Sequence, residues 1–189
     1  KVSGEKTIAT VATMSEHIER LENYVQMMSE AQKLEDITVL TKEMEVCAIL
    51  EQMRDTVQLV AQNAGLKSDF ESELIEKQLC LDLPIVLRVY ENLIANAARY
   101  AASIVSVELQ YSASTLTVTV SDDGKGFTDE DLKQAGKPYY RNQADSGESH
   151  FGLGLYICRV LCQKHGGDIF IENGDHGGAK VSAKFYVKS

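Results

Sequence analysis

In the stretch ENLIANAARY (91–100), Asn92, Asn96 and Arg99 recur at i, i+4 and i+7. On a helix they share one stripe, while Leu93, Ile94, Ala97 and Ala101 suit a buried face. A second, polar stripe beside an apolar one needs something of its own to face. Three glycine motifs follow in the chain. SDDGKGF (121–127) leaves an expected strand, and its glycines let the backbone turn sharply and approach a flat ligand closely. Asp122 is different in kind, because a carboxylate ending a buried strand needs a donor. The exocyclic amine of adenine is one, whereas guanine presents an acceptor oxygen there. HFGLGLYI (150–157) places Gly152 and Gly154 at a loop-to-helix junction, where backbone amides and the helix dipole favour an anion such as phosphate. GGAK (177–180) opens the last strand and reads as a turn. Each glycine pair taken singly also fits an ordinary turn. Neither GxxxxGK[ST] nor GxGxxG occurs, which excludes a Walker loop and a Rossmann fingerprint.

These groups need a scaffold, and 189 residues with 44% hydrophobic and 25% charged side chains are enough for one well-cored domain plus an appendage. The net charge of -9 argues against a nucleic-acid or anionic-membrane surface, so an anionic ligand must be gripped locally. No run of 18 apolar residues is present, and the start KVSGEKTIAT has neither a signal core nor an initiator Met. The chain reads as a soluble fragment of something longer. Cys47, Cys80, Cys158 and Cys162 contain no CxxC pair. Cys158 and Cys162, at i and i+4, suit buried reduced thiols better than a metal clip.

Residues 5–35 place Ile8, Val11, Met14, Ile18, Leu21, Val25 and Met28 on a heptad-like stripe that wants a partner helix. A second helical pattern runs from Lys42 to Ala64 and stops at Gly65. Segment 66–81 reads as two short strands or loop. Asp82, followed by Pro84, starts the helix of the Asn stripe, which should end near Ala101. The period then changes to two, giving a hairpin through Val105–Tyr111 and Leu116–Val120. A long connection, 123–150, holds one short helix with Thr128 and Asp131 in capping-box spacing. A helix over 152–165 stops at Gly166–Gly167, and a final hairpin over 169–187 completes the chain.

In order and spacing, ENLIANAARY, SDDGKGF, KPYYR, GLGLYI, HGG and GGAK resemble the N, glycine, F and later glycine boxes of sensor histidine kinases, within the wider Bergerat-type (GHKL) ATPases. The resemblance covers about residues 37–189. HIERLENYVQMMSEAQKLED is similar to the second helix of the kinase dimerization hairpin, so 1–36 is expected to be part of that hairpin. The implied fold is α+β: a two-layer α/β sandwich, its mixed sheet covered on one face by helices, preceded by a long amphipathic helix.

By the same resemblance, Asn96 would hold Mg²⁺ and Asn92 would support the metal and phosphate shell. Arg99 would approach the phosphates, Tyr100 would wall the site, and Asp122 would accept from adenine beside Gly124, Gly126 and Phe127. Tyr140, Gly152, Leu153, Gly154 and Leu155 complete the expected ATP site, and Arg141 is the expected cation for the γ-phosphate. Two positions depart from the pattern. The hydrolytic members carry a water-activating Glu where this chain has Asn92, and Glu91 points about 100° away; this favours a kinase. His150 stands where the second glycine box often begins with Gly.

The resemblance implies transfer of the ATP γ-phosphoryl group to a histidine upstream of these residues, in two-component signalling. The partners expected are a second copy through the completed hairpin and a response regulator, with no nucleic acid. The site of action expected is the cytoplasmic part of a membrane-anchored parent protein. None of His17, His150, His165 and His176 has the acidic-residue and proline context of a phosphoacceptor. A serine kinase of the anti-sigma class and a nucleotide-sensing pseudokinase dimer are the alternatives.

Overall fold

The computed structural model describes residues 36–137, 140, 153–175 and 177–187, together with Met14, Ile18, Val25, Ser29 and Leu34. Its elements are β1 (Lys42–Glu45), α1 (Val46–Asn63), β2 (Lys67–Ser72), β3 (Gln78–Leu81), α2 (Leu83–Tyr100), β4 (Ile104–Ser112), β5 (Thr115–Asp122), α3 (Asp129–Gln134), α4 (Gly154–Lys164), β6 (Ile169–Asn173) and β7 (Ala179–Tyr186). A five-stranded sheet runs β2-β4-β5-β7-β6, with β2 parallel to β4 and every other pair antiparallel. One face is apolar because the strands alternate. Val105, Val107 and Leu109 of β4, Leu116, Val118 and Val120 of β5, and Val181, Ala183 and Phe185 of β7 all point inward. Helices α1, α2 and α4 cover that face, giving the expected two-layer α+β sandwich with a mixed sheet.

Local signals account for most boundaries. Asp82 caps α2 by accepting from Ile85 N at 3.2 Å, and Pro84 follows in the first turn. The β4–β5 hairpin closes through Ala113 and Ser114, at φ 49° and 59°, the two-residue left-handed turn that matches strand twist. Gly65 ends α1 at φ 70°, and Leu66 N reaches back to Ala61 O at 2.8 Å. Thr128 and Asp131 form the capping box of α3. One expectation is corrected: Lys42–Glu45 does not begin a helix but forms β1, paired antiparallel with β3 in a separate two-stranded sheet. Lys-Glu-Met-Glu has no strand preference of its own. Pairing with Gln78–Leu81 overrides it, and the helix starts only at Val46, whose N–H is taken by Lys77 O.

Of the amino-terminal stripe, Met14, Ile18 and Val25 are helical and between half and two thirds exposed, whereas Leu34 is fully buried in the core. Residues 36–40 then run on without helix or strand. Ile37 and Val39 pack on the core, Lys164 Nζ donates to Ile37 O at 3.2 Å, and Leu40 N donates to Asp82 Oδ2 at 2.7 Å.

Asp82 is also tied from beneath. Buried His165, which caps the C-terminus of α4, accepts from Asp82 N at 3.0 Å through Nε2, while its Nδ1 lies 2.9 Å from Tyr186 O. A carbonyl can only accept, so Nδ1 carries the proton and the ring is neutral. The HGG motif is thus a joint between α4, α2 and β7. Gly167 completes it, since a Cβ there would stand 1.8 Å from Lys184 O. Replacing His165 by Leu strands a buried N–H, and the expected cost is about 2 kcal/mol. Urea unfolding checks it; a variant as stable as the wild type would show that the joint does not depend on the imidazole.

Candidate functional site

The site is built around the polar stripe of α2. Asn92 and Asn96 are half-buried between apolar neighbours Leu93 and Ala97, while Glu91 is exposed and off the stripe, as its 100° offset requires. Asn92 Nδ2 donates to Arg88 O at 2.8 Å, which turns Oδ1 outward. What the stripe faces is the first turn of α4. A Cβ placed on Gly154 would lie 3.5 Å from Asn96 Nδ2 and 3.6 Å from Asn92 Oδ1. The first backbone amides of an eleven-residue helix therefore open beside both amide side chains. Leu153 is fully buried ahead of Gly154 and Leu155 is half-buried, so α4 enters the core immediately. Gly152 and Arg141 lie outside the described residues.

About one turn further along α2 the second half of the site begins. Arg99 is exposed in the last turn, its guanidinium carbon 5.9 Å from the centre of the Tyr100 ring. Against the carbonyl of Tyr100 lies Gly124; a Cβ on Gly124 would be 2.0 Å from that oxygen, so the turn after β5 touches the end of α2 backbone to backbone. Asp122 is buried at the end of β5, and its Oδ1 accepts from Gly124 N at 2.9 Å and Ala179 N at 3.4 Å. Gly126, at φ 71°, and half-buried Phe127 continue the turn. Tyr140 is held apart from these groups by α3, donating to Asp131 Oδ1 at 2.9 Å; burial, and then that bond, push its phenol up.

Spacing alone did not separate the two aspartates of SDDGKGF. Asp123 turns the opposite way from Asp122 and accepts from the N–H groups of Ala102, Ser103 and Ile104 and from Ser103 Oγ. It ties the chain leaving α2 to the end of β5. Asn173, whose side chain meets Phe127, was equally invisible, because 46 residues separate the partners. The GGAK turn packs backbone to backbone on the end of β5: a Cβ on Gly178 would stand 1.8 Å from Asp122 O. The thiols of Cys158 and Cys162 are buried. Burial pushes Cys158 up to about 12 and raises Cys162 as well, so both act as small apolar groups.

The two aspartates have opposite electrostatics. Burial raises the Asp122 carboxyl, only partly offset by its two N–H donors. The Ser103 hydroxyl, followed by the backbone donors, holds Asp123 far below the usual carboxylate range. A depressed folded value means that Asp123 contributes stability above its unfolded value, about pH 4, and loses it as pH falls further. A raised value means that Asp122 subtracts stability above about pH 4. Asp123→Asn should therefore be less stable than the wild type at pH 7, with the gap narrowing progressively as pH falls below about 4. Asp122→Asn should be at least as stable at pH 7, its advantage vanishing in acid. Unfolding midpoints from pH 2 to 8 check both, and parallel curves for all three proteins would contradict the assignment.

Residues 82–189 match the sequence profile of the family described as histidine kinase-, DNA gyrase B-, and HSP90-like ATPase. The sensor histidine kinase CpxA of Escherichia coli K12 is 28% identical over 183 residues, covering 88% of this chain and 39% of that protein. The chain thus spans about two fifths of that relative's length. Among solved structures, full-length ShkA in complex with AMPPNP shares the fold at TM-score 0.70 and 17% identity, over 81% of this chain and 32% of that one. The nucleotide-free catalytic domain of histidine kinase ThkA does so at TM-score 0.66 and 19% identity, over 78% and 95%.

Proposed function

Because the chain belongs to the histidine kinase-, DNA gyrase B- and HSP90-like ATPases, we propose that residues 37–189 bind Mg·ATP between α2, the start of α4 and the 122–127 turn, and donate its γ-phosphoryl group to a histidine on a dimerization hairpin. The observation that carries this reading is the meeting of Gly154 with Asn92 and Asn96, since it sets helix-end amides and two hard amide oxygens around one volume. Asp122, one turn of α2 further on, supplies a buried carboxylate with its Oδ1 occupied, leaving the second oxygen for the amine of adenine. ATP spans these two groups with its base at Asp122 and its phosphates at α4.

The donor set fits Mg²⁺: Asn96, supported by Asn92, offers neutral oxygen to a cation whose charge the phosphates balance. When bound, the ion neutralises developing charge on the phosphoryl oxygens. The chain's own residues bind and orient. The first amides of α4 receive phosphate, Arg99 adds positive charge, and Tyr100, Gly124, Gly126 and Phe127 shape the base end. Arg141 is assigned to the γ-phosphate, and Tyr140 to the same loop. Catalysis on this reading is positioning and charge neutralisation. Where hydrolytic relatives carry a water-activating Glu this chain has Asn92, and Glu91 is exposed on another face, which suits transfer to a protein acceptor over hydrolysis.

The likeness to CpxA favours histidine over serine as acceptor. The exposed positions Met14, Ile18 and Val25 suit one helix of a hairpin that pairs with a second copy. A response regulator then takes the phosphoryl group. Among the described residues no helix is long and apolar enough to cross a membrane. Anchoring is assigned to other parts of the parent protein, with these residues on the cytoplasmic side.

Asn96→Ala should abolish Mg-dependent nucleotide binding with the fold intact, because it removes a half-buried polar group without opening a core cavity. Titration calorimetry with Mg·ATP decides, and wild-type affinity in the folded variant would sink the metal assignment. Incubating the full-length protein with γ-labelled Mg·ATP should give acid-labile, base-stable phosphate that Asn96→Ala lacks. Acid-stable label would indicate a serine kinase, and binding without any transfer would indicate a nucleotide sensor.

A further inference from the structure

We propose that Asn173, at the end of β6, is a positioning residue for adenine recognition; the inference rests on the nucleotide reading of the site. Its amide is used twice on one residue, with Oδ1 accepting from Phe127 N at 2.7 Å and Nδ2 donating to Phe127 O at 2.9 Å. Beyond Asp122 the chain has left β5, and Phe127 makes no ladder pairing with β4 or β7. The Asn173 side chain takes the place of a neighbouring strand, offering one donor and one acceptor at the right separation.

The approach is close. A Cβ on Gly126 would stand 2.6 Å from Asn173 Oδ1 and 3.0 Å from Gly178 O, so a side chain larger than hydrogen at residue 126 would displace the clamp. The β6–β7 hairpin therefore grips the 122–127 turn at both ends. Ala179 N and the close approach of Gly178 hold Asp122, and Asn173 holds Phe127. The hairpin's own turn is set by Gly174 N to Gly178 O at 3.1 Å and Gly177 N to Gly174 O at 3.0 Å. Without Asn173 the turn keeps its Asp122 end and loses its far wall, against which the base would lie.

Asn173 is exposed, and its neighbour Glu172 pairs elsewhere, with Lys180 Nζ at 3.2 Å. Water replaces either bond at small cost to the fold, so the clamp's contribution falls on the order of the turn rather than on global stability. That distinguishes a positioning role from a structural one. It should show in adenine affinity and in local exchange, while the melting temperature stays nearly constant.

The test is calorimetry of the full chain with Mg·ADP and Mg·GDP, alongside amide hydrogen exchange without nucleotide. The wild type should prefer ADP. Asn173→Ala should lose about tenfold in ADP affinity, as expected for two neutral hydrogen bonds, with GDP binding and melting temperature nearly unchanged. Phe127 N–H should exchange faster than in the wild type while the amides of β5 keep their protection. Asn173→Ser, which keeps one hydrogen-bonding atom on a shorter stem, should fall between. Wild-type ADP affinity in Asn173→Ala, or an equal loss for ADP and GDP with a lowered melting temperature, would overturn the inference. A wild type that does not prefer ADP would instead sink the nucleotide reading itself.

Discussion

A helix that carries chemistry on one stripe and core on the others has to be fixed along its axis, because a slip of one residue moves it by about 1.5 Å and turns it by about 100°. Such a slip would swing Asn92 and Asn96 away from Gly154 and put Glu91 or Ala95 in their place. Two aspartates prevent it. At the amino end Asp82 accepts from Ile85 and from Leu40, while its own N–H is held by His165. At the carboxyl end Asp123 accepts three successive amides as the chain leaves the helix. Between them Tyr90, wholly buried, donates to Met53 O at 2.7 Å and locks rotation against α1. The helix is therefore fixed at its two ends and on its buried face, which leaves the Asn stripe to face Gly154.

Backbone meets backbone at three places around this helix: Gly124 on Tyr100, Gly178 on Asp122, and Gly167 on Lys184. In each, the space left for a Cβ is about 2 Å from a carbonyl, which no side chain can occupy. These contacts explain why glycine motifs recur after the Asn helix. One of them packs the carboxyl end of α2 on β5, one packs the last hairpin on Asp122, and one packs the end of α4 on β7. Gly154 differs from these: it faces the Asn stripe, and a Cβ there would meet nothing closer than ordinary contact distance.

Asp122 is kept buried at a cost to stability. A carboxylate with raised affinity for its proton subtracts from stability at neutral pH, and the fold retains it with two N–H donors rather than a cation. Its neighbour Asp123 acts in the opposite sense, exposed to solvent yet bonded by four donors. Adjacent residues of the same type thus differ in work, one buried at the strand end and the other closing the turn beside it. Asp122 is the last residue of β5 and Asp123 the first beyond it, so one carboxylate belongs to the strand and the other to the turn.

Sequence by itself determined what depends on neighbours within a turn or two. The 3.6-residue period defined α2 and its polar stripe, Asp82 and Pro84 marked its start, Thr128 with Asp131 marked α3, and the period of two marked the β4–β5 hairpin. The order of the Asn and glycine boxes further pointed, through resemblance, to the family whose profile matches residues 82–189. Tertiary structure decided what depends on partners distant in the chain. Lys42–Glu45 is a strand only because β3 lies beside it, and β2 and β4 are parallel only because α2 crosses between them. His165 is a joint rather than a ligand because Asp82 and Tyr186 converge on its two nitrogens. Asn173 reaches Phe127 across 46 residues. Local propensity carries no information about such meetings; they are fixed when the apolar faces of sheet and helices close on each other and bring the polar ends of remote elements within hydrogen-bonding distance.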